Sequence, residues 1–196
     1  LQILGQRHAD IRNGLSIPLK IKLSNLFDLL SKPSWCYQMA RTKNRTFGNV
    51  MGHVKDITNL NSLTKWVQDQ FDTKLNWDDV KRIKDWWGGK LIIKGIMDPD
   101  DAKMAQKCGA DALVVSNHGG RQLDGVNSSI STLPEIKKAV SNMEVLMDGG
   151  ISSGQDILKA IAMGAEGVMI GRSFVYGLSA GGKEGVTKSL EILNKE

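Results

Sequence analysis

The chain has 196 residues, 41% of them hydrophobic, 24% charged, with a formal net charge of +5. That suffices for one compact domain but falls short of the ~250 residues of a complete β/α barrel. No apolar run approaches the ~20 residues of a membrane-spanning helix, no charged leader with an apolar core opens the chain, and two cysteines, Cys36 and Cys108, have neither metal-ligand nor disulfide-framework spacing.

The charge is unevenly spread. Residues 1–55 hold nine Lys and Arg against Asp10 and Asp28, a surplus of seven, so the rest of the chain is two negative. Residues 14–37 mix Ile17, Leu19, Ile21, Leu26, Phe27, Leu30, Trp35 and Tyr37 with Lys20, Lys22 and Lys32. Such a mixture can lie on an anionic membrane surface. The expected division is a basic loop region over 1–75 and a strand-helix region over 76–196.

From residue 76 the pattern alternates. Asn76 caps a predicted helix through Trp77, Val80, Ile83 and Trp87, which Gly88-Gly89 stops. Leu91-Ile92-Ile93 reads as a buried strand ending at Lys94, and Asp98-Pro99 opens a helix that ends at Cys108-Gly109. A second strand covers Ala112 to Ser116. After a polar, glycine-rich loop, Thr132 and Pro134 start the next helix, and Val145 to Met147 form a third strand ending at Asp148. A helix from Ser153 to Met163, a strand from Gly167 to Ile170 and a last helix from Lys183 to Asn194 complete the chain. Four such units in succession predict an α/β fold with a parallel sheet. Polar residues end every strand, the habit of a barrel rather than of a doubly wound sheet with one phosphate loop.

The densest cluster is Ser116-Asn117-His118-Gly119-Gly120-Arg121-Gln122-Leu123-Asp124. A titratable imidazole and a guanidinium three residues apart, with glycines between them, suit binding and deprotonation of a small acid. Asp148-Gly149-Gly150 and Gly171-Arg172, at consecutive strand ends, suit a phosphate, because glycines expose backbone N–H donors and Arg172 adds charge. No metal-ligating set and no nucleic-acid motif appears, so neither partner is expected.

These motifs, with Leu91-Ile92-Ile93-Lys94-Gly95-Ile96 and the opening Leu4-Gly5-Gln6-Arg7 to Asp10-Ile11-Arg12-Asn13, stand in the order and spacing of the FMN-dependent L-2-hydroxy acid oxidases and dehydrogenases, which the chain resembles over its whole length. It is most similar to the bacterial L-lactate branch. The resemblance implies the C-terminal half of a TIM-type β/α barrel, strands five to eight with their helices, carrying FMN. It implies oxidation of an L-2-hydroxy acid, L-lactate to pyruvate, with electrons leaving to a membrane quinone or cytochrome. It further implies His118 as the active-site base, Arg7 and Arg121 as the carboxylate clamp, Lys94 beside the flavin, and Asp148, Gly149, Gly150, Gly171 and Arg172 as cofactor-binding residues. Where the family usually has Arg two residues after the Asp-Gly-Gly, this chain has Ser152. By the same resemblance residues 14–75 would dock peripherally on the inner face of the cell membrane, the rest being cytoplasmic, and copies would associate. The competing expectation is a non-catalytic remnant or split-gene fragment that needs an N-terminal half.

Overall fold

The computed structural model describes residues 8–15, 20, 22–43, 66 and 69–196, which divide into two units at residue 73. Arg7 and most of the 44–68 stretch lie outside the described residues. In the first unit α1 (His8–Arg12), α2 (Leu23–Leu30) and α3 (Pro33–Arg41) are short helices. Leu23, Leu26, Phe27 and Leu30 recur at helical spacing on α2, and all four are exposed.

The second unit runs α4 (Trp77–Trp87), β1 (Ile92–Ile96), α5 (Pro99–Lys107), β2 (Ala112–Val115), a 3₁₀ turn (His118–Gly120), α6 (Ser129–Ala139), β3 (Glu144–Asp148), α7 (Gly154–Ala162), β4 (Gly167–Met169) and α8 (Arg172–Lys195). Its strands form one parallel sheet in the order β1-β2-β3-β4. Consecutive parallel strands with right-handed crossovers must carry all their helices on one face. The core lies there: Leu113, Val115, Val145 and Met147 of the sheet pack with Ala102, Ala105, Leu133, Ile136 and Ala160 of the helices. Strand alternation turns Ile92, Lys94, Val114, Leu146, Asp148 and Met169 to the opposite face. A doubly wound sheet would reverse its strand order; among the described residues this one does not.

The caps read from sequence are formed. Asn76 accepts from the Asp78 N–H, Asp98 from those of Asp100 and Asp101, and Ser153 from that of Asp156. Three elements depart from expectation. β1 continues past Lys94 to Ile96. α6 begins at Ser129, capped by Ser128, with Pro134 inside it rather than at its start, because Ser129 and Thr132 in its first turns are buried polar residues that read as loop. The last helix begins at Arg172 and kinks at Gly181 and Gly182, so that Gly177 and Gly185 meet backbone to backbone with no room for a Cβ.

A repeat underlies the sheet. Gly109 and Gly164 both end a helix at positive φ, and the Ala110 and Ala165 N–H groups return to the Ala105 and Ala160 carbonyls, each at 3.1 Å. Asp111 and Glu166 follow. Each carboxylate accepts the backbone N–H opening the preceding strand, Leu91 and Val145 respectively, at 2.8 Å, and each backbone N–H returns to that residue's carbonyl at 2.9 Å. Each acid also binds the lysine of the helix before that strand, Lys84 for Asp111 and Lys137 for Glu166. The register repeats too: Ile92 pairs with Ala112, Ile93 with Leu113 and Lys94 with Val114, as Leu146 pairs with Gly167, Met147 with Val168 and Asp148 with Met169.

Hydrogen bonds from Lys84, the Leu91 N–H and Lys90 hold the Asp111 carboxyl well below its ordinary 3.8. A depressed carboxyl contributes stability above its unfolded value, lost as pH falls through the folded one. Asp111→Asn is therefore expected to lower the thermal midpoint at pH 7, with the gap to the parent closing progressively below pH 3.8; a gap independent of pH would contradict the ion-pair account.

Candidate functional site

The face of the sheet opposite the helices carries its charge at the C-terminal ends of the strands. Lys94 Nζ lies 2.7 Å from Asp148 Oδ2 and donates to Ser116 Oγ at 3.0 Å. Lys94 on β1 thus reaches across the end of β2 to β3, over a serine with no solvent exposure. The same Ser116 Oγ accepts the His118 backbone N–H at 3.1 Å. One buried hydroxyl therefore sets both the lysine and the start of the His118 turn.

The imidazole needs space, and β1 provides it. The β1·β2 register slips between Lys94 and Ile96, and the extra residue, Gly95, has φ +105°. A Cβ there would fall 2.6 Å from His118 Cε1. His118 itself has φ +56°, rare for a residue with a side chain and found where surroundings over-determine the backbone. Asn117 supplies that determination: its Oδ1 accepts the Gly119 N–H at 2.9 Å, its Nδ2 donates to the Asn127 carbonyl at 3.2 Å, and its N–H donates to Ser129 Oγ at 3.3 Å, closing the 117–129 loop at its base. Burial pushes the His118 pKa below 6.5, the Lys94 charge adds to that, and Asp148 opposes it. A base that is neutral at physiological pH results.

Two glycine segments flank this cluster. Gly149 and Gly150 have φ +93° and +82°; a Cβ on Gly149 would crowd Ser129 Oγ and Asn117 Oδ1, whereas one on Gly150 or Gly171 would meet open space. Gly171 is the N-cap of α8 and Arg172 its first residue. Ser173 Oγ donates to the Ile151 carbonyl at 3.5 Å, joining the start of α8 to the Gly149-Gly150 loop. Exposed N–H groups, a helix N-terminus and a guanidinium suit a phosphate. Ser152 does not point at that function: its N–H and Oγ both lie 3.1 Å from Asp156 Oδ2, within the cap of α7.

The structure thus gathers Lys94, His118 and Asp148, and sets Gly149 and Gly150 beside Gly171 and Arg172. Arg121 follows the 3₁₀ turn and is exposed; Arg7 lies outside the described residues. The Asp148 carboxylate pairs with Lys94. Ser116, Gly95 and Asn117 were not singled out for these roles. Only Gly95 left a signal, a glycine interrupting an apolar strand. No group of acids, histidines or cysteines suited to a metal occurs among the described residues, and none of the described helices is long and apolar enough to cross a membrane.

The sequence profile of the FMN-dependent dehydrogenase family matches residues 1–196. The L-lactate dehydrogenase of Allorhizobium ampelinum is 43% identical over 198 residues, covering 100% of this chain and 52% of its own length. That of Haemophilus influenzae is 42% identical over 194 residues, covering 98% and 51%. Among solved structures, the monotopic membrane protein (S)-mandelate dehydrogenase superposes with a TM-score of 0.92 at 32% identity, over 100% of this chain and 52% of that one. A mandelate oxidase gives 0.61 at 46% identity over 62% and 38%. The chain spans about half the length of the curated relatives it matches.

The electrostatics predict two opposite shifts of the His118 titration, followed by NMR of the imidazole. Lys94→Met removes a charge that disfavours the imidazolium and should raise the pKa, whereas Asp148→Asn removes one that favours it and should lower the pKa. Shifts of the same sign in both variants would contradict this arrangement.

Proposed function

The chain belongs to the FMN-dependent dehydrogenase family, and from that premise we propose that it is the FMN-binding and proton-abstracting part of an oxidoreductase that converts an L-2-hydroxy acid, L-lactate first among them, to the 2-oxo acid. The observation that carries this reading is the meeting of Lys94 and the His118 turn on the buried Ser116 hydroxyl, beside glycine segments open to a phosphate. The fit of the cofactor rests on those segments: the N–H groups around Gly149 and Gly150, the N-terminus of α8 at Gly171 and the Arg172 guanidinium would hold the phosphate. When bound, FMN supplies the two-electron acceptor.

The remaining work falls to side chains of the chain. Neutral His118 takes the substrate proton, and its lowered pKa keeps the accepting form populated at pH 7. Arg121 grips the substrate carboxylate, where a planar fork outperforms an ammonium. Lys94 presents a fixed positive charge to the negative charge that accumulates on reduction. Asp148 acts through Lys94 as a positioning residue, holding the ammonium at 2.7 Å.

A second reading, a non-catalytic remnant or a fragment that needs an N-terminal half, is favoured by Ser152, which brings no cation to the phosphate loop and is engaged with Asp156. FMN fluorescence titrated against the purified chain separates the two, followed by anaerobic addition of L-lactate. Quenching and then bleaching, with bleaching reduced ~100-fold or more in His118→Gln, is the expected outcome. The absence of quenching, both with the chain alone and with an N-terminal half supplied in trans, would support the remnant.

The basic first unit supports peripheral attachment to an anionic membrane surface, from which electrons would reach a quinone or cytochrome. On α2 the exposed Leu23, Leu26, Phe27 and Leu30 form an apolar stripe close to Lys20, Lys22 and Lys32 in sequence. Co-sedimentation with phosphatidylserine vesicles should be strong and salt-sensitive, and roughly tenfold weaker in Phe27→Ser, since a buried Phe or Leu contributes ~1.5–3 kcal/mol. Equal binding by the variant would remove α2 from the contact.

A further inference from the structure

We propose that Asn117 is the positioning residue of the active-site base: its side-chain amide holds His118 in the left-handed backbone that sets the imidazole against Gly95, and it closes the loop that carries Arg121. The proposal rests on the reading of His118 as the base.

The backbone shows why such a residue is needed. His118, Gly119 and Gly120 follow one another at φ +56°, +67° and +67°. Glycine adopts this region freely, but a residue with a Cβ is held there by its surroundings. Because each peptide unit is planar, the φ and ψ of His118 are set by the orientations of the two planes that meet at its Cα. Ser116 fixes the first plane, its Oγ accepting the His118 N–H at 3.1 Å. Asn117 fixes the second, its Oδ1 accepting the Gly119 N–H at 2.9 Å in an Asx turn that encloses His118 alone. Without that bond the second plane can rotate, and the imidazole leaves the space that Gly95 keeps open, where a Cβ would fall 2.6 Å from His118 Cε1.

The rest of Asn117 is committed to the same region. Its Nδ2 donates to the Asn127 carbonyl at 3.2 Å and its N–H to Ser129 Oγ at 3.3 Å, so the two ends of the loop that includes Arg121 are tied together. Ser129 is buried in the first turn of α6, which anchors the tie to a helix. From the other side the Gly149 backbone closes on the amide: a Cβ there would lie 3.2 Å from Ser129 Oγ and 3.4 Å from Asn117 Oδ1. The amide is thus held between the loop it closes and the segment proposed for the phosphate.

Asn117→Ala and Asn117→Ser separate the bond from the bulk. The two side chains are close in size, and only serine keeps an oxygen that can accept the Gly119 N–H, in the weaker turn that hydroxyls form. NMR of the imidazole without flavin, with the resonance identified by His118→Gln, should show the His118 pKa rising toward 6.5 in the alanine variant. Burial and the Lys94 charge lower it only where the imidazole now lies. The serine variant should titrate near the parent. With FMN and L-lactate, bleaching should slow roughly 100-fold in the alanine variant, the loss that a misplacement of about 1 Å brings, and recover roughly tenfold in the serine variant.

An unmoved titration in Asn117→Ala, or the same shift in both variants, would overturn the positioning role. The titration needs neither flavin nor substrate, so a parent chain that bleaches nothing counts against the reaction alone. Should the alanine variant not fold, hydrogen exchange in the parent decides. Gly119 is exposed, and its N–H should exchange roughly tenfold or more below the rate of an unstructured chain because Asn117 Oδ1 holds it. Exchange at the unstructured rate would remove the bond on which the proposal stands.

Discussion

Parallel strands taken in chain order, each joined to the next by a right-handed crossover, leave every helix on the same side of the sheet. In this chain that constraint separates packing from chemistry. Leu113, Val115, Val145 and Met147 meet the helices and carry the core, while the alternate residues, Lys94 and Asp148 among them, are held to the other face. Because all four strands run the same way, their C-terminal ends lie together, and four loops distant in sequence contribute to one rim.

Within that rim the charges are arranged by the repeat. Lys94 and Asp148 occupy equivalent places in the two β-strand pairs, each followed by a glycine at positive φ, yet they carry opposite charge and bind each other. The first glycine, Gly95, yields its space to the imidazole of His118; the second, Gly149, packs against Asn117 and Ser129. Equivalent positions thus carry a cation and an anion that bind each other, and the buried serine that accepts from the cation also accepts the His118 backbone N–H. At the opposite ends of the strands the equivalent acids remain alike, and there they do structural work by fixing strand N–H groups and lysines.

Much of this was legible in the chain. Asn76, Asp98 and Ser153 predicted their helix starts because an N-cap is a contact over two or three residues and depends on little else. The α/β alternation and the polar strand ends were legible for the same local reason, and the motif around His118 carried the family resemblance that the relatives bear out. Less legible were the helix whose first turns bury Ser129 and Thr132, and the first half of the last helix, where Gly177 and Gly185 look like loop residues until another backbone is set against them. Asp111 and Glu166 had a readable signal, the recurring Gly-Ala-acid triplet before a strand, but a repeat of two is easily passed over.

The sequence by itself determined the parallel α/β class, the helix caps and the residue types that converge on chemistry, since each follows from periodicity or from neighbours along the chain. Only the tertiary structure decided that Asp148 answers Lys94 across β2, that Ser116 anchors both Lys94 and the His118 turn, and that Gly95 is required by an imidazole 23 residues away. The partners of Lys94 and Gly95 lie on other strands or the loops that follow them and are chosen by register and strand order, quantities that no local pattern of residues records.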